Sequence, residues 1–208
     1  MATAGRKSLI RVAGSPLSMT NEATTTDDNI VYQVSDPNKQ VWAPTAPIAV
    51  ETSSDGENWT EVTGGYKLDR LFGRVIFNAE QDSGVQVRVS GSYLPMATVA
   101  EAYQFTFTAS RANLDRTRFQ HINMERTPGL CDATGSVGLW HTSTKEFWEE
   151  LNQGNQIVVE VQIDNRVTAR AWARPTTDET AAAVDGVVEE SFEWEGTRDQ
   201  DGRMVSFG

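Results

Sequence analysis

The chain has 208 residues, a formal net charge of −11 and a single cysteine, Cys131. A chain of this length can bury a core without disulfides or metals, and one cysteine excludes an intramolecular disulfide, which favours assembly in a reducing cytoplasm. The negative charge argues against a basic groove that binds DNA, and the short apolar stretch interrupted by Arg11 is not a signal peptide. No segment has the length of a transmembrane span, so we expect no membrane partner.

Apolar and polar residues alternate with a period of two along much of the chain, which predicts an all-β fold of half-buried antiparallel strands. Asp55-Gly56 is typical of a hairpin turn, and frequent glycine and proline residues between the strands favour a β-sandwich or barrel. We expect one such domain to span residues 1–208. The predicted strands, in chain order, are 8–13, 30–34, 48–52, 59–62, 74–78, 85–90, 103–108, 157–163, 167–174 and 187–195.

The segment from 111 to 130 has little periodicity and is predicted to be a long loop or an arm. A structureless connection of this length is uncommon inside a compact domain unless it has a function. Its arginine and apolar side chains would suit contacts with acidic and apolar patches on another subunit. The candidate arm residues are Arg111, Arg116, Arg118, Phe119, Ile122, Met124 and Arg126.

One short helix that packs on the sheet is predicted after this segment. Ser143 and Glu146 have the spacing of a capping box, and Gly154 is a typical C-terminal stop. The apolar residues between them that share one face of this helix are Phe147, Trp148 and Leu151.

Residues with the chemistry of an active site are few. His121 and His141 lack partners at metal-ligand spacing, and Cys131 has no signature of a nucleophile around it. Adjacent acids such as Glu149 and Glu150 are typical of a solvated face rather than a pair of glycosidase acids. We therefore expect no enzymatic activity, no metal and no cofactor.

A binding module is the alternative that the sequence leaves open. The stretch 54–62 is similar to a hairpin found in discoidin-like and immunoglobulin-like modules, some of which bind sugars. The six tryptophans would supply stacking platforms in a monomeric carbohydrate-binding module or another β-sandwich binding module.

A succession of motifs in the second half of the chain carries a more specific resemblance. The chain reads LDRTRF at 114–119, PGL at 128–130 and TGSVGLW at 134–140, followed by EFWEEL at 146–151, a valine-rich strand at 154–163 and SFEWEG at 191–196. The first half contains YKLDRLFGRVIF at 66–77 and VRVSGSYLP at 87–95. Together these motifs resemble the major tail tube protein of long-tailed, siphovirus-like bacteriophages.

The resemblance implies a structural protein of the virion tail that is assembled in the host cytoplasm. Members of this family polymerise into stacked rings, and the resemblance implies hexameric rings with this chain as its own main partner. It also implies contacts with other tail proteins, such as the tape measure and terminator proteins. DNA would pass through the tube during genome ejection without specific binding.

The distribution of charge adds a prediction about the wall of that tube. Residues 131–208 hold 15 acids and 6 bases, whereas residues 1–130 hold 14 acids and 12 bases. Acids on one face of a strand are usually solvated, but strands that line a channel would make its wall negative and let DNA slide. The acids that the resemblance places at the lumen are Glu189, Glu193 and Glu195, with Glu160 and Asp164 on a neighbouring strand.

Overall fold

The structure, a computed structural model, describes residues 9–98, 102–119, 122–140, 154–163, 167–181 and 188–208. These residues form antiparallel β-sheets, which confirms the predicted all-β sandwich or barrel class. Helical structure in the described ranges is limited to a 3-10 turn at Pro37–Lys39. The predicted helix at 143–151, His121, His141 and Asp164 lie outside the described residues.

Strands account for most of the described chain. Their bounds are β1 (Leu9–Ala13), β2 (Leu17–Thr25), β3 (Val31–Val34), β4 (Ala49–Ser53), β5 (Thr60–Glu61), β6 (Tyr66–Asp69), β7 (Arg74–Phe77), β8 (Gln86–Tyr93), β9 (Met96–Thr98), β10 (Ala102–Asp115), β11 (Arg126–Trp140), β12 (Ile157–Ile163), β13 (Val167–Ala181), β14 (Glu189–Gly196) and β15 (Val205–Phe207).

The chain divides into two compact units. The first unit comprises 1–99, 156–172 and 198–208, and the second comprises 100–155 and 173–197. Strand β13 contributes residues to both units. That the chain is a single domain stays a prediction.

The first unit contains a seven-stranded antiparallel sheet in the order β5-β4-β8-β2-β3-β7-β6. Its other strands follow the order β13-β12-β1-β9, with β15 paired to β13. The turn predicted from Asp55-Gly56 does join β4 to β5, and Gly56 has a φ of 78°. One buried cluster of this unit consists of Met19, Tyr32, Val34, Trp42, Val50, Val75, Phe77, Val87 and Val89, and a second of Val41, Ala43, Leu71, Phe72, Leu94, Val158 and Trp172.

Gly73 closes the connection from β6 to β7 in a conformation that excludes other residues. Its φ is 58°, in the left-handed region that favours glycine. A Cβ at this position would lie 2.7 Å from the backbone oxygen of Gln40. The Gly73 carbonyl also accepts a hydrogen bond of 3.0 Å from the Val34 N–H, so the turn is fixed against β3.

Strand β12 departs from the half-buried pattern that was predicted for it. All residues from Ile157 to Val161 are buried, including Val158 and Glu160, which the alternation had placed on the solvent side. Val158 packs with Trp172 in the second cluster. The prediction was wrong because β12 is covered on both faces, and strands of that kind read as nearly continuous apolar runs.

The second unit is built on strands in the order β10-β11-β14-β13. Gly135 on β11 pairs with Phe107 on one side and Trp194 on the other. A Cβ at Gly135 would overlap the six-membered ring of Trp194, so the glycine makes room for the indole. The described apolar residues that are buried in this unit are Ala133, Val137, Leu139, Ala173, Phe192 and Trp194.

Candidate functional site

The segment 111–130 is here named the hairpin arm. Its described residues, 111–119 and 122–130, form the distal part of the β10–β11 hairpin. Asp115 pairs with Arg126 at the last position of the ladder, and the Arg116 N–H donates to the Glu125 carbonyl at 2.8 Å. The Thr117 N–H donates to the Asp115 carboxylate at 2.8 Å, and hydrogen bonding from Thr117 lowers the pKa of Asp115. The loop alternative was therefore wrong for residues 111–115 and 126–130, because the two strands continue beyond the buried part of the sheet. The arm alternative stays a prediction.

Apolar side chains of the hairpin arm face solvent. Phe119 and Ile122 are almost completely exposed, at 112% and 99% of their reference areas. Leu130, Met124 and Leu114 are 85%, 65% and 56% exposed. Large apolar side chains that cluster on one exposed element mark an interaction surface more often than a plain solvated surface.

The hairpin arm is basic within an acidic chain. It holds four arginines and two acids, Asp115 and Glu125, so its net charge is +2. The remainder of the chain then carries −13, because the whole chain carries −11. Arg111 lies beside the only cysteine, with its Nε 3.0 Å from the Cys131 Sγ. All the predicted arm residues, Arg111, Arg116, Arg118, Phe119, Ile122, Met124 and Arg126, are exposed.

Strand β14 presents a row of acids on one face. Glu189, Glu193 and Glu195 are exposed, whereas Phe192 and Trp194 between them are buried. This alternation follows from the period of two in a strand. The three carboxylates are therefore separated from the apolar face of the second unit.

The surroundings of these acids are mostly polar. Glu193 pairs with Ser136 on β11, and Glu195 pairs with Arg174 on β13. The Tyr103 Oη lies 3.4 Å from the Glu189 carboxylate. Desolvation and then this neighbouring carboxylate raise the pKa of Tyr103.

Glu160 does not belong to an exposed acidic face. It is 1% exposed in the first unit, and Arg170 Nε donates to its carboxylate at 2.6 Å, with Arg11 Nη1 at 3.4 Å. Arg170 also donates to the Leu71 carbonyl at 2.6 Å and lies over the Phe72 ring. Burial lowers the pKa of Arg170, and the Glu160 carboxylate opposes this shift. The expectation for Glu160 was wrong, because a buried charge is tolerated only with such partners.

The sequence also gave no sign of a second buried polar network, which holds residues 198–208 in the first unit. Arg70 is 1% exposed and donates to the Asp201 carboxylate at 2.6 Å. The Trp172 indole N–H donates to Asp199 at 3.2 Å, and burial raises the pKa of Asp199. The structural roles of these polar residues become visible only in the fold, because their hydrogen-bond partners lie far apart in sequence.

No metal-binding cluster of three or more His, Cys, Asp or Glu residues occurs in the part of the chain that the structure describes. In the same ranges, no helix has the length and apolar character needed to cross a membrane. The hairpin arm and the acidic face of β14 are the two predicted surfaces that the structure describes.

Comparisons with known proteins add no family to this description. No protein-family model matches the chain, and no curated protein matches it. The tail tube hypothesis accordingly rests on the residues and surfaces described above.

Proposed function

We propose that the chain is a non-enzymatic structural protein of a phage tail, which polymerises into stacked rings that form the tail tube. The order of motifs from 114 to 196 and the all-β fold support this proposal. The tube is a conduit for DNA, and its rings are hexameric by the family resemblance. The observation that carries the proposal is the hairpin arm, whose large apolar side chains are left uncovered by the described residues and suit burial against a partner.

The energetics of the hairpin arm favour a second copy of this chain as that partner. Full burial of each large apolar side chain contributes about 1.5–3 kcal/mol, so the five exposed ones offer on the order of 10 kcal/mol before the costs of association. The arm carries +2 and the remainder of the chain −13. Contact between the arm of one protomer and the body of another therefore joins opposite charges.

Strand β10 supports ring closure by sheet edges. It has 14 residues and ends the strand order β10-β11-β14-β13, so among the described residues only β11 pairs with it. Long free edges are templates for pairing with another chain, and a closed ring would pair all of them. Protomers whose sheets never approach one another in an assembled particle would contradict this part of the proposal.

A deletion tests the role of the hairpin arm. Removal of Thr117–Glu125 takes away the end of the hairpin that follows its last paired residues and leaves the paired strands in place. We therefore expect a folded protein that no longer forms tubes. Negative-stain electron microscopy and sedimentation of the purified wild-type and deleted chains measure this difference. Intact tubes from the deleted chain would exclude the arm as an assembly element.

Cys131 provides a direct test of the partner. Because it is the only cysteine, is exposed and pairs with Arg111 at the base of the hairpin arm, a photoreactive maleimide labels one known position. We expect irradiation of the assembled protein to link Cys131 to another copy of the chain. When tubes are assembled from a mixture of isotope-labelled and unlabelled chains, mass spectrometry detects such a link as a heavy–light pair. Links confined to one chain would contradict the inter-subunit role.

The acidic face of β14 supports the conduit function. Carboxylates that line a channel repel the phosphates of DNA, and each ring repeats them. Changing Glu189, Glu193 and Glu195 to Lys should permit assembly but slow genome ejection, which dye release from particles measures. Location of all three side chains on the tube exterior in an assembled structure would end this part of the proposal.

A monomeric binding module has less support from the tryptophans. Trp59, in the hairpin that suggested this alternative, is half-buried and has the Arg88 guanidinium 4.2 Å from its ring centroid. Trp42, Trp172 and Trp194 are buried. A purified wild-type chain that stays monomeric at high concentration and binds oligosaccharides would favour the module instead.

A further inference from the structure

A cleft of about 790 Å³ lies in the first unit along strand β6. Residues 66–68 and Arg70 line it together with the turn at 200–203, and Pro47 and Ile48 complete part of the wall. This volume is within the range of about 300–1,000 Å³ that is typical of ligand sites.

Among the described residues, no strand pairs with the edge of β6 that faces away from β7, so this edge offers free backbone groups. β6 is the last strand of its sheet, and the Asn78 N–H donates to the Gly65 carbonyl at 2.8 Å, just before the first pair of the two strands. Hydrogen-bonded and non-hydrogen-bonded pairs alternate in an antiparallel ladder. The N–H and C=O groups of Tyr66 and Leu68 therefore point away from β7, on the edge that the cleft follows.

Such an edge beside a cleft has the chemistry to bind an extended polypeptide. A strand added to a free edge gains main-chain hydrogen bonds, and alternate side chains enter the adjoining pockets. Tyr66, Leu68 and Ile48 are only partly buried, so the cleft also has apolar surface to cover.

The charge of the lining selects an acidic segment. Its charged residues are Lys67, Arg70, Arg203 and Asp201, which sum to +2 in a chain of −11. Arg203 already has a partner outside the lining, because its Nη1 lies 3.3 Å from the Asp69 carboxylate. Asp201 is already held by Arg70, with 2.6 Å between its carboxylate and the guanidinium Nε. Lys67 is exposed and has no acidic partner within the described ranges.

We propose that this cleft binds an extended acidic segment of a partner protein, which adds as a strand to the free edge of β6 and places a carboxylate beside Lys67. The proposal does not depend on tube assembly, because every residue that it uses belongs to the first unit. It assigns a second interaction surface to the chain, separate in sequence from the hairpin arm.

A synthetic peptide of alternating glutamate and valine, labelled with fluorescein, tests the charge requirement. We expect saturable binding to the wild-type chain in fluorescence anisotropy. Binding to Lys67→Glu should be about thirtyfold weaker, because reversing the charge turns an attraction at about 4 Å in water into an equal repulsion. Arg198→Glu is the matched control, because Arg198 is exposed, undergoes the same charge change and does not line the cleft. Absence of saturable binding, or equal weakening by both variants, would overturn the proposal.

Methylation of the peptide backbone tests the strand pairing. We expect N-methyl groups on one set of alternate residues to abolish binding and those on the other set to leave it intact, because only one edge of the peptide faces β6. Hydrogen exchange of residues 66–69 should also slow when the unmethylated peptide is present. Binding that tolerates both methylated peptides would contradict strand addition. Another outcome of the test is that the chain associates with itself in a way that Lys67→Glu abolishes. That result would show that a second copy occupies the cleft, and it would equally refute the proposal.

Discussion

The first unit and the hairpin arm depart from the usual placement of side chains in opposite ways, because the first unit buries charged side chains and the hairpin arm exposes apolar ones. The first unit buries charges, such as Glu160 and Arg170, and satisfies them with partners inside the same unit. The hairpin arm exposes apolar residues, such as Phe119 and Ile122, and the described chain offers them no cover. The comparison teaches that the buried charges of the first unit find their partners within that unit, whereas the exposed apolar residues of the arm have no cover among the described residues. Each prediction below tests one side of this contrast.

The largest effect is expected from Glu160→Gln. Loss of one partner of a buried ion pair costs about 3–5 kcal/mol, because the remaining charge of Arg170 stays buried without its counterion. Urea unfolding measures this change in the free energy of unfolding. The matched control is Glu193→Gln on the exposed face of β14, which should change it by less than about 0.5 kcal/mol. Equal effects of the two variants would break the contrast between buried and exposed acids.

A smaller effect is expected from Gly135→Ala in the second unit. The new methyl group would overlap the Trp194 ring and the Thr106 carbonyl, and overpacking of this kind costs about 1–3 kcal/mol. Gly64→Ala is the control, because no atom lies within 4 Å of a Cβ built at Gly64. Thermal unfolding of both variants gives the comparison, and a fully tolerated Gly135→Ala would show that the packing of Trp194 on β11 is not tight.

The double change Phe119→Ser and Ile122→Ser should leave the free energy of unfolding of the unassembled chain within about 0.5 kcal/mol of the wild type, because exposed side chains contribute little to folding. The same change should abolish tubes in negative-stain images. Leu17→Ser with Phe207→Ser is the control, since these apolar residues are exposed outside the arm. Marked destabilisation by the arm variant would mean that its apolar side chains serve the fold of the chain itself.

The smallest effect is expected from Asp55→Ala, which tests charge satisfaction at the surface of the first unit. Backbone and side-chain hydrogen bonds from Asn58, together with those from Glu57 and Ser53, hold the pKa of Asp55 well below its usual range. A carboxyl whose pKa is lowered by folding stabilises the folded state above its unfolded pKa of about 3.9, and this contribution is lost as the pH falls further. The midpoint temperature of Asp55→Ala should therefore lie below that of the wild type at pH 7, and the gap should narrow below about pH 4. A difference in midpoint temperature that does not change with pH would contradict the assignment of this stabilisation to the ionised Asp55 carboxylate.

Much of the fold was predictable where one face of a strand is buried and the other is solvated. The alternation of β14 identified the strand and its exposed acids, and the Asp55-Gly56 turn identified the β4–β5 hairpin. Strand β2 was missed because only Met19 within it is buried, and its register shifts around Asn21, which has a φ of 55°. A strand with almost no buried face has no alternation to detect.

The candidate surfaces were predictable only in part, for the same physical reason. The exposed arginines and apolar residues of 111–130 indicated an arm, but their solvent exposure removed the alternation that would have indicated strands. Glu160 was misplaced because a sequence does not tell whether the second face of its strand is covered. The cleft along β6 has no local signal either, because Arg70 and Asp201 are 131 positions apart and meet only in the fold.

The geometry at Gly73 has a consequence for sequence divergence. Any side chain there meets both a positive φ and the backbone of Gln40, and backbone does not move aside as a flexible side chain does. Relatives that keep this fold should therefore retain glycine at the equivalent position, even where drift has replaced the residues around it. In alignments of distant homologues, this single position should anchor the register of β6 against β7 when overall identity no longer does.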